Sequence, residues 1–266
     1  MKLLALLATV VGAASAFAQI QDNQQKQLTC NDGGYHDRQF RFCELREQSL
    51  GALPKLDVDS GKNGGISIKG WSNNSILVRT RVEAWAGSET AANDIARQVR
   101  LDISGDQIRP TGPESVNESG WSVSLEVFVP QNTSLILQTL NGGISVSDVR
   151  GDLRFQAQNG GITLKRLAGS ISGSTVNGGI HLELAGNTWD GDQVEVRTTN
   201  GGVTVAIPGN YSAHIQTATV NGAIQSDFPI TVRGDIRPVN LDFNVGSGGP
   251  LIHITTTNGS VKLQQS

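Results

Sequence analysis

The sequence predicts an all-β protein, a β-solenoid of rungs about 18 residues long with one inserted helix. Three observations carry this. The tetrapeptide Asn-Gly-Gly-Ile recurs at fixed spacing, Asn141, Asn159 and Asn177 each opening a copy 18 residues after the last. Further copies open at Asn63 and Asn200, and looser ones at Asn221 and Asn258. Three residues beyond each asparagine stands a β-branched residue: Ile66, Ile144, Ile162, Ile180, Val203, Ile224 or Val261. Two further on stand Ile68, Val146, Leu164, Leu182, Val205 and Leu263, with Ser226 the exception. Finally, glycine supplies 32 of 266 residues, about 12% against a typical ~7%, while Asn, Ser, Thr, Val and Ile alternate through most of the length.

An antiparallel meander or sandwich is the alternative, because Asn-Gly between alternating apolar runs is also the strongest short hairpin signal. A meander explains each turn singly. It does not explain why one chemical corner returns every 18 residues while the corner between differs. In a solenoid, equivalent positions stack at the ~4.8 Å strand spacing. Stacked asparagines could then pass amide hydrogen bonds from rung to rung, with both corner glycines supplying positive φ. A rung contributes about five inward apolar side chains, each worth ~1.5–3 kcal/mol when fully buried. Ordering some 18 residues costs ~1–2 kcal/mol apiece. Neighbouring rungs are therefore obligatory.

Taken in order, residues 1–18 read as a signal peptide: Lys2, the apolar run Leu3 to Val11, then Ala16-Phe17-Ala18 as a small-x-small cleavage site. The run is shorter than the roughly 20 apolar residues of a membrane span. No second such run follows, so the mature chain is expected not to span a membrane. Residues 19–54 form a polar N-terminal extension with a turn at Asn31-Asp32-Gly33-Gly34; Gln39–Glu47 is too short and charged to assign. Cys30 and Cys43 lie here, 13 positions apart, and in an oxidising compartment most simply form one disulfide. A metal site with His36 is the rival.

The repeat domain spans 55–266. Leu56, Val58, Ile66 and Ile68 begin the alternation, and Ser75–Trp85 continues it as a half-buried strand. Ser88 to Arg100 breaks the pattern: Ser88 is a good N-cap, and Ala92, Ile95, Ala96 and Val99 make a helical stripe. Leu101–Ile108 and Ser122–Val129 alternate again, with Pro110, Gly112 and Pro113 marking the loop between. Beyond Pro130 most repeats show two corners, the second a glycine at 151, 169, 186 or 209. Short strands lie between: Ile144–Val149, Leu153–Ala157, Ile162–Leu167 and Ile171–Val176. Residues 183–193 and 227–250 read as insertions, and the 37-residue gap from Asn221 to Asn258 fits two rungs with one degraded corner.

These Asn-Gly-Gly-Ile repeats, with Ile66–Trp71, Val78–Trp85, Trp121–Pro130 and Gly246-Ser247-Gly248-Gly249-Pro250, resemble the bacterial putative-adhesin family of exported domains of unknown function. The resemblance covers roughly residues 55–263. It implies a β-strand repeat fold, export and a non-catalytic, adhesin-like surface role, and it carries no catalytic motif.

No residue constellation specifies a reaction. His181, His214 and His253 stand between or beside apolar strand residues and are expected to point outward. Asp190-Gly191-Asp192 and Asp57-Val58-Asp59 are the best carboxylate pairs, but calcium wants six to eight oxygens and no rung-by-rung Asp pattern exists. No metal or cofactor is therefore expected. Trp71, Trp85, Trp121 and Trp189 could stack on sugars; Trp85 is the likelier core residue, and Trp189, in an inserted loop, is the best exposed contact. The net charge of −3 offers no basic stripe for nucleic acid. The expectation is an exported protein, periplasmic, cell-surface or secreted, binding an unknown glycan or protein ligand. A carbohydrate-active enzyme on a β-helix scaffold and a self-assembling structural protein are the alternatives.

Overall fold

The computed structural model describes residues 27–30, 34–36, 39–116, 118–229 and 239–266. The expected signal peptide, its cleavage site, the first three residues of the Asn31 turn and the His36 side chain lie outside the described residues.

The described residues are all-β with one helix, arranged as two mixed sheets. It begins with β1 (Gly34–His36) and β2 (Gln39–Gly51), an antiparallel pair. Then come β3 (Lys55–Asp59), β4 (Ile66–Trp71) and β5 (Ser75–Ala86). β2 lies antiparallel along the whole of β5. Its sequence hid it. Arg41, Glu44, Arg46 and Glu47 interrupt the apolar alternation, yet Phe42 and Leu50 still pack against the core.

The helix α1 (Glu89–Gln98) starts at Ser88, whose hydroxyl accepts from the Ala91 N–H at 3.2 Å. Ala92 and Ala96 are buried, and Arg46 donates to the Val99 and Ala96 carbonyls at 2.6 and 2.9 Å. That satisfies acceptors that a helix end leaves open. The expected strand Leu101–Ile108 is corrected to a hairpin, β6 (Arg100–Ser104) and β7 (Gln107–Thr111). Gly105, at φ +62°, makes the tight turn, and across it the apolar positions shift phase from Leu101 and Ile103 to Ile108. β8 (Gly120–Pro130) follows.

The repeats alternate between the sheets. One sheet takes β9 (Ser134–Asn141), β11 (Leu153–Asn159), β13 (Ile171–Asn177), β15 (Gln193–Asn200), β17 (Ala213–Asn221) and β20 (Leu251–Asn258). The other takes β10 (Ile144–Ser147), β12 (Ile162–Lys165), β14 (Ile180–Glu183), β16 (Val203–Ile207), β18 (Ile224–Ser226) and β21 (Val261–Gln265). A further strand, β19 (Asn240–Val245), lies antiparallel to β17.

Equivalent strands pair parallel and in register: Ile66 with Ile144, Ile144 with Ile162, Ile162 with Ile180, Ile180 with Val203, and Val203 with Val261. An antiparallel meander therefore does not describe the repeats. The aligned Ile and Val columns are buried, except that Ile224 in the edge strand is half-buried. Residues of both sheets share one hydrophobic cluster.

Spatial order departs from chain order at several points, and two of them shape the asparagine corner. Asn63 pairs directly with Asn141, although 78 residues of strands and helix separate them. The final strands β20 and β21 insert between earlier ones, β20 between β15 and β17, β21 between β16 and β18. The 37-residue gap is thus not two rungs. It holds β19, which turns back along β17 before the chain re-enters.

Trp189 corrects another expectation. It is 4% exposed, part of the core, and its indole N–H donates to the Gly169 carbonyl at 2.9 Å. The 183–193 insertion folds its aromatic inward instead of presenting it.

Candidate functional site

The recurring corner is a ladder of side-chain amides. Each asparagine donates to the next in space: Asn141 to Asn63 at 3.1 Å, Asn159 to Asn141 at 2.7 Å, and Asn177 to Asn159 at 2.8 Å. Asn200 donates to Asn177, Asn258 to Asn200 and Asn221 to Asn258, each at 2.8 Å. All six bonds run the same way, and linear chains of this kind polarise one another. Asn159→Ala removes two of them and is expected to cost about 1–2 kcal/mol. Gln158→Ala, one position earlier, should cost less; denaturation midpoints of the two variants measure the difference.

The first corner glycine is required by close approach. A Cβ at Gly142 would lie 2.0 Å from the Gly64 carbonyl oxygen, at Gly160 1.9 Å from that of Gly142, and at Gly178 2.1 Å from that of Gly160. The expectation that both corner glycines adopt positive φ is corrected. Among them only Gly64 does, at +142°, and left-handed glycines stand instead at the second corner, at Gly151, Gly169 and Gly186. The second glycine of the motif is looser: a Cβ would lie 3.6 Å from its nearest neighbour at Gly161 and 3.1–3.2 Å at Gly65, Gly143, Gly179 and Gly202. That is why Ala223 and Ser260 can occupy this place in the last two copies.

A buried threonine column completes the corner, and it escaped the sequence reading. Thr139, Thr175, Thr198, Thr256 and Thr219, each two residues before an asparagine, donate to the carbonyls of Gly64, Gly160, Gly178, Gly201 and Gly259 at 2.7–2.9 Å. Gly61, before Asn63, and Ala157, before Asn159, interrupt the series. The signal was present as Thr-x-Asn-Gly. Thr175→Val keeps the shape and removes one such bond, so thermal unfolding should show a loss of about 1 kcal/mol.

At the Asn63 end of the ladder the surface opens into two depressions that meet at Gly61 and Lys62. One, about 410 Å³, is lined by Asp59, Gln138, Leu140, Gln156, Gln158 and Val176. The other, about 630 Å³, is lined by Asn63, Pro110, Glu114, Ser115 and Trp121 among others. Leu140 and Val176 are 38% and 42% exposed, unusual for apolar strand residues.

The Lys62 ridge between the depressions is fixed. The Lys62 carbonyl accepts from the Asn141 side chain at 2.9 Å and from its backbone N–H at 3.1 Å. The Ser60 hydroxyl donates to the Gly64 carbonyl at 2.7 Å, and Asp59 accepts from the Gly61 N–H at 2.8 Å. Trp121 is half-buried, and its indole N–H is committed to the Pro113 carbonyl at 2.7 Å.

The other candidate side chains lie apart from these depressions or only border them. Asp190 pairs with Arg150, and Asp192 accepts from the Ser170 hydroxyl at 3.1 Å. Asp57 lies 3.8 Å from Arg109. His214 meets Asp242 at 2.6 Å, which holds the Asp242 carboxyl below its usual range. His181 and His253 are half-buried on their strands. Trp71 donates to the Ser75 carbonyl at 2.8 Å, its ring 5.3 Å from that of Phe128. Trp85 is half-buried, lying against Gly120, so the core assignment holds only in part. Among the described residues, no group of three or more His, Cys, Asp or Glu side chains could hold a metal.

The strongest electrostatics lie on the neighbouring sheet. Glu126, 2% exposed, accepts from Lys69 at 2.8 Å and pairs with Arg79. It also accepts the backbone N–H groups of Gln27 and Leu28 at 2.9 and 3.3 Å, while Arg79 donates to the Leu28 carbonyl at 3.2 Å. Burial, the largest single influence, pushes the Glu126 carboxyl up; the hydrogen bonds from Lys69, Gln27, Arg79 and Leu28 outweigh it and hold the carboxyl low. Residues 27–30 thus strap the extension onto the sheet, and the disulfide Cys30–Cys43 anchors the strap to β2.

No protein-family model matches this chain, and no curated protein sequence matches it. Among solved structures it is similar to a "putative cell adhesion protein" from Clostridium sporogenes, at 13% identity and TM-score 0.45 over 84% of this chain and 100% of that one. It is also similar to a "putative adhesin" from Bacteroides fragilis, at 10% identity and TM-score 0.44 over 84% and 97% of the respective chains. A "putative lipid binding protein" from Parabacteroides distasonis follows at 10% identity and TM-score 0.34, over 84% and 96%. Similarity at this level carries no function from those proteins to this one.

Proposed function

We propose that this chain is an exported, non-catalytic β-repeat protein that binds a partner at its surface in an adhesin-like way. In this reading the two sheets are opposite walls of a β-solenoid, and the corners are built for rigidity. The observation that carries it is the Lys62 ridge, which is pinned to the asparagine ladder and flanked by two open depressions. A surface held this way is pre-organised, so binding loses little to ordering. Charged groups elsewhere neutralise one another, as Asp148 and Arg166 do through two 2.7 Å bonds.

Export is supported by the N-terminal pattern and by the disulfide, a bond that persists in oxidising compartments. No helix among the described residues is long and apolar enough to cross a membrane. The test uses residues 19–266, labelled and offered to intact cells and to a polysaccharide panel. Saturable retention without release of reducing ends is the expected result. Sugar release above a heat-treated control would replace this reading with the enzymatic one.

A further inference from the structure

We propose that the two depressions flanking Lys62 form one binding cleft for a neutral oligosaccharide; this rests on the surface-binding reading above. The lining sets the class of ligand. Gln138, Gln156 and Gln158 place carboxamides along the first depression, each offering both donor and acceptor to hydroxyl groups. Leu140 and Val176 beside them give an apolar strip that suits the C–H face of a sugar ring. In the second depression Trp121 contributes its indole. The indole N–H is already bonded to the Pro113 carbonyl, so stacking is what the ring has left to offer.

The charges favour a neutral ligand. Among the described residues Lys62 is the one cation lining either depression, and Asp59 lines the first and Glu114 the second. An anionic chain would meet two carboxylates for each ammonium, and a cationic one would meet Lys62 itself. Size agrees as well. At about 410 and 630 Å³, each depression falls within the range of roughly 300–1,000 Å³ typical of small-ligand sites. Two such depressions sharing one ridge fit adjoining parts of one oligomer better than two separate ligands.

The asparagine ladder reaches into this cleft. Asn63 is its last member and lines the second depression, with its carboxamide oxygen occupied by Asn141. Because every bond in the ladder runs in the same direction, the amide nitrogen of Asn63 is its terminal donor, and a sugar hydroxyl could accept from it.

The experiment is calorimetric titration of residues 19–266 with neutral gluco-, manno- and N-acetylglucosamine oligomers and with an oligogalacturonate. At least one neutral series is expected to bind, with affinity rising from monomer to trimer. Lys62→Ala and Gln156→Ala, both at exposed positions that leave the core intact, should each weaken it about tenfold. Trp121→Phe should weaken it less than Trp121→Ala, whose folding is checked by circular dichroism. Thr163→Ala on the other sheet should leave it unchanged. Preference for the oligogalacturonate overturns the proposal, as does neutral binding that ignores Lys62→Ala and Gln156→Ala. Saturable retention on cells with no oligosaccharide bound overturns the ligand class alone, whereas failure of both overturns the surface-binding reading with it.

Discussion

Gly160→Ala is expected to be severely destabilising, while Gly161→Ala, the next residue, should be nearly silent. At position 160 the new Cβ falls 1.9 Å from the Gly142 carbonyl oxygen, a backbone atom held in the sheet. Neither strand can retreat, because Gly142 and Gly160 each donate a backbone hydrogen bond to the asparagine of the next rung, both at 3.0 Å. Overpacking against such a neighbour costs on the order of 3 kcal/mol. At position 161 the nearest atom is 3.6 Å away, an ordinary contact, and the cost should stay within about 1 kcal/mol. Urea midpoints at constant m-value measure both. Equal losses would mean that backbone freedom, and not close approach, explains the motif.

The second large effect belongs to Glu126. Glu126→Ala leaves Lys69 without this carboxylate and Arg79 with Glu47, 2.8 Å away, as its remaining acidic partner, a change worth about 3 kcal/mol. The pH dependence follows from the same contacts. The folded carboxyl titrates below its unfolded value, so its contribution is fully present above the unfolded pKa of about 4.3 and is lost as pH falls through the folded one. The wild-type midpoint should therefore fall on acidification below about pH 4, and Glu126→Gln should flatten that part of the curve. The strap adds an independent readout. Gln27 and Leu28 bond to Glu126 and are tied through Cys30 to Cys43, so reducing the disulfide or replacing Glu126 should each speed proteolysis near residue 28. Unchanged cleavage in both would count against the strap.

How much of this was legible depended on whether each feature had a local signature. The parallel registers were readable, because the Ile and Val columns repeat at the spacing of the asparagines and burial enforces register. The helix was readable from Ser88 and its alanine stripe. The Gly105 hairpin had a local signature too, since Ile108 falls out of phase with Leu101 and Ile103 across Gly105-Asp106, but the segment was read as one strand. β2 was hidden by its charges. One of them, Arg46, caps a helix some 50 residues away in sequence, which no local pattern encodes.

The candidate site was legible by chemistry and misplaced by position. Tryptophan was singled out as a sugar-stacking type, and loop location pointed to Trp189, which the fold turns inward, while Trp121 lines the open depression. Lys62 attracted no attention because its significance comes from Asn141, 79 residues later, gripping its carbonyl. The buried Lys69, Arg79 and Glu126 looked like ordinary outward strand residues. Only the pairing of β4, β5 and β8 brings them together.

The insertion of β20 and β21 between older neighbours governs when this molecule can be finished. Until Leu251–Gln265 arrive, β15 and β17 have no strand between them, and the ladder breaks between Asn200 and Asn221. The earlier repeats can stack on one another in chain order, yet β17 cannot join them before β20 is in place. Completion is a late, long-range event, the kind of closure that slows folding and leaves strand edges open meanwhile. In effect β20 and β21 act as a keystone, and the surface around the ladder is finished only when they are in place.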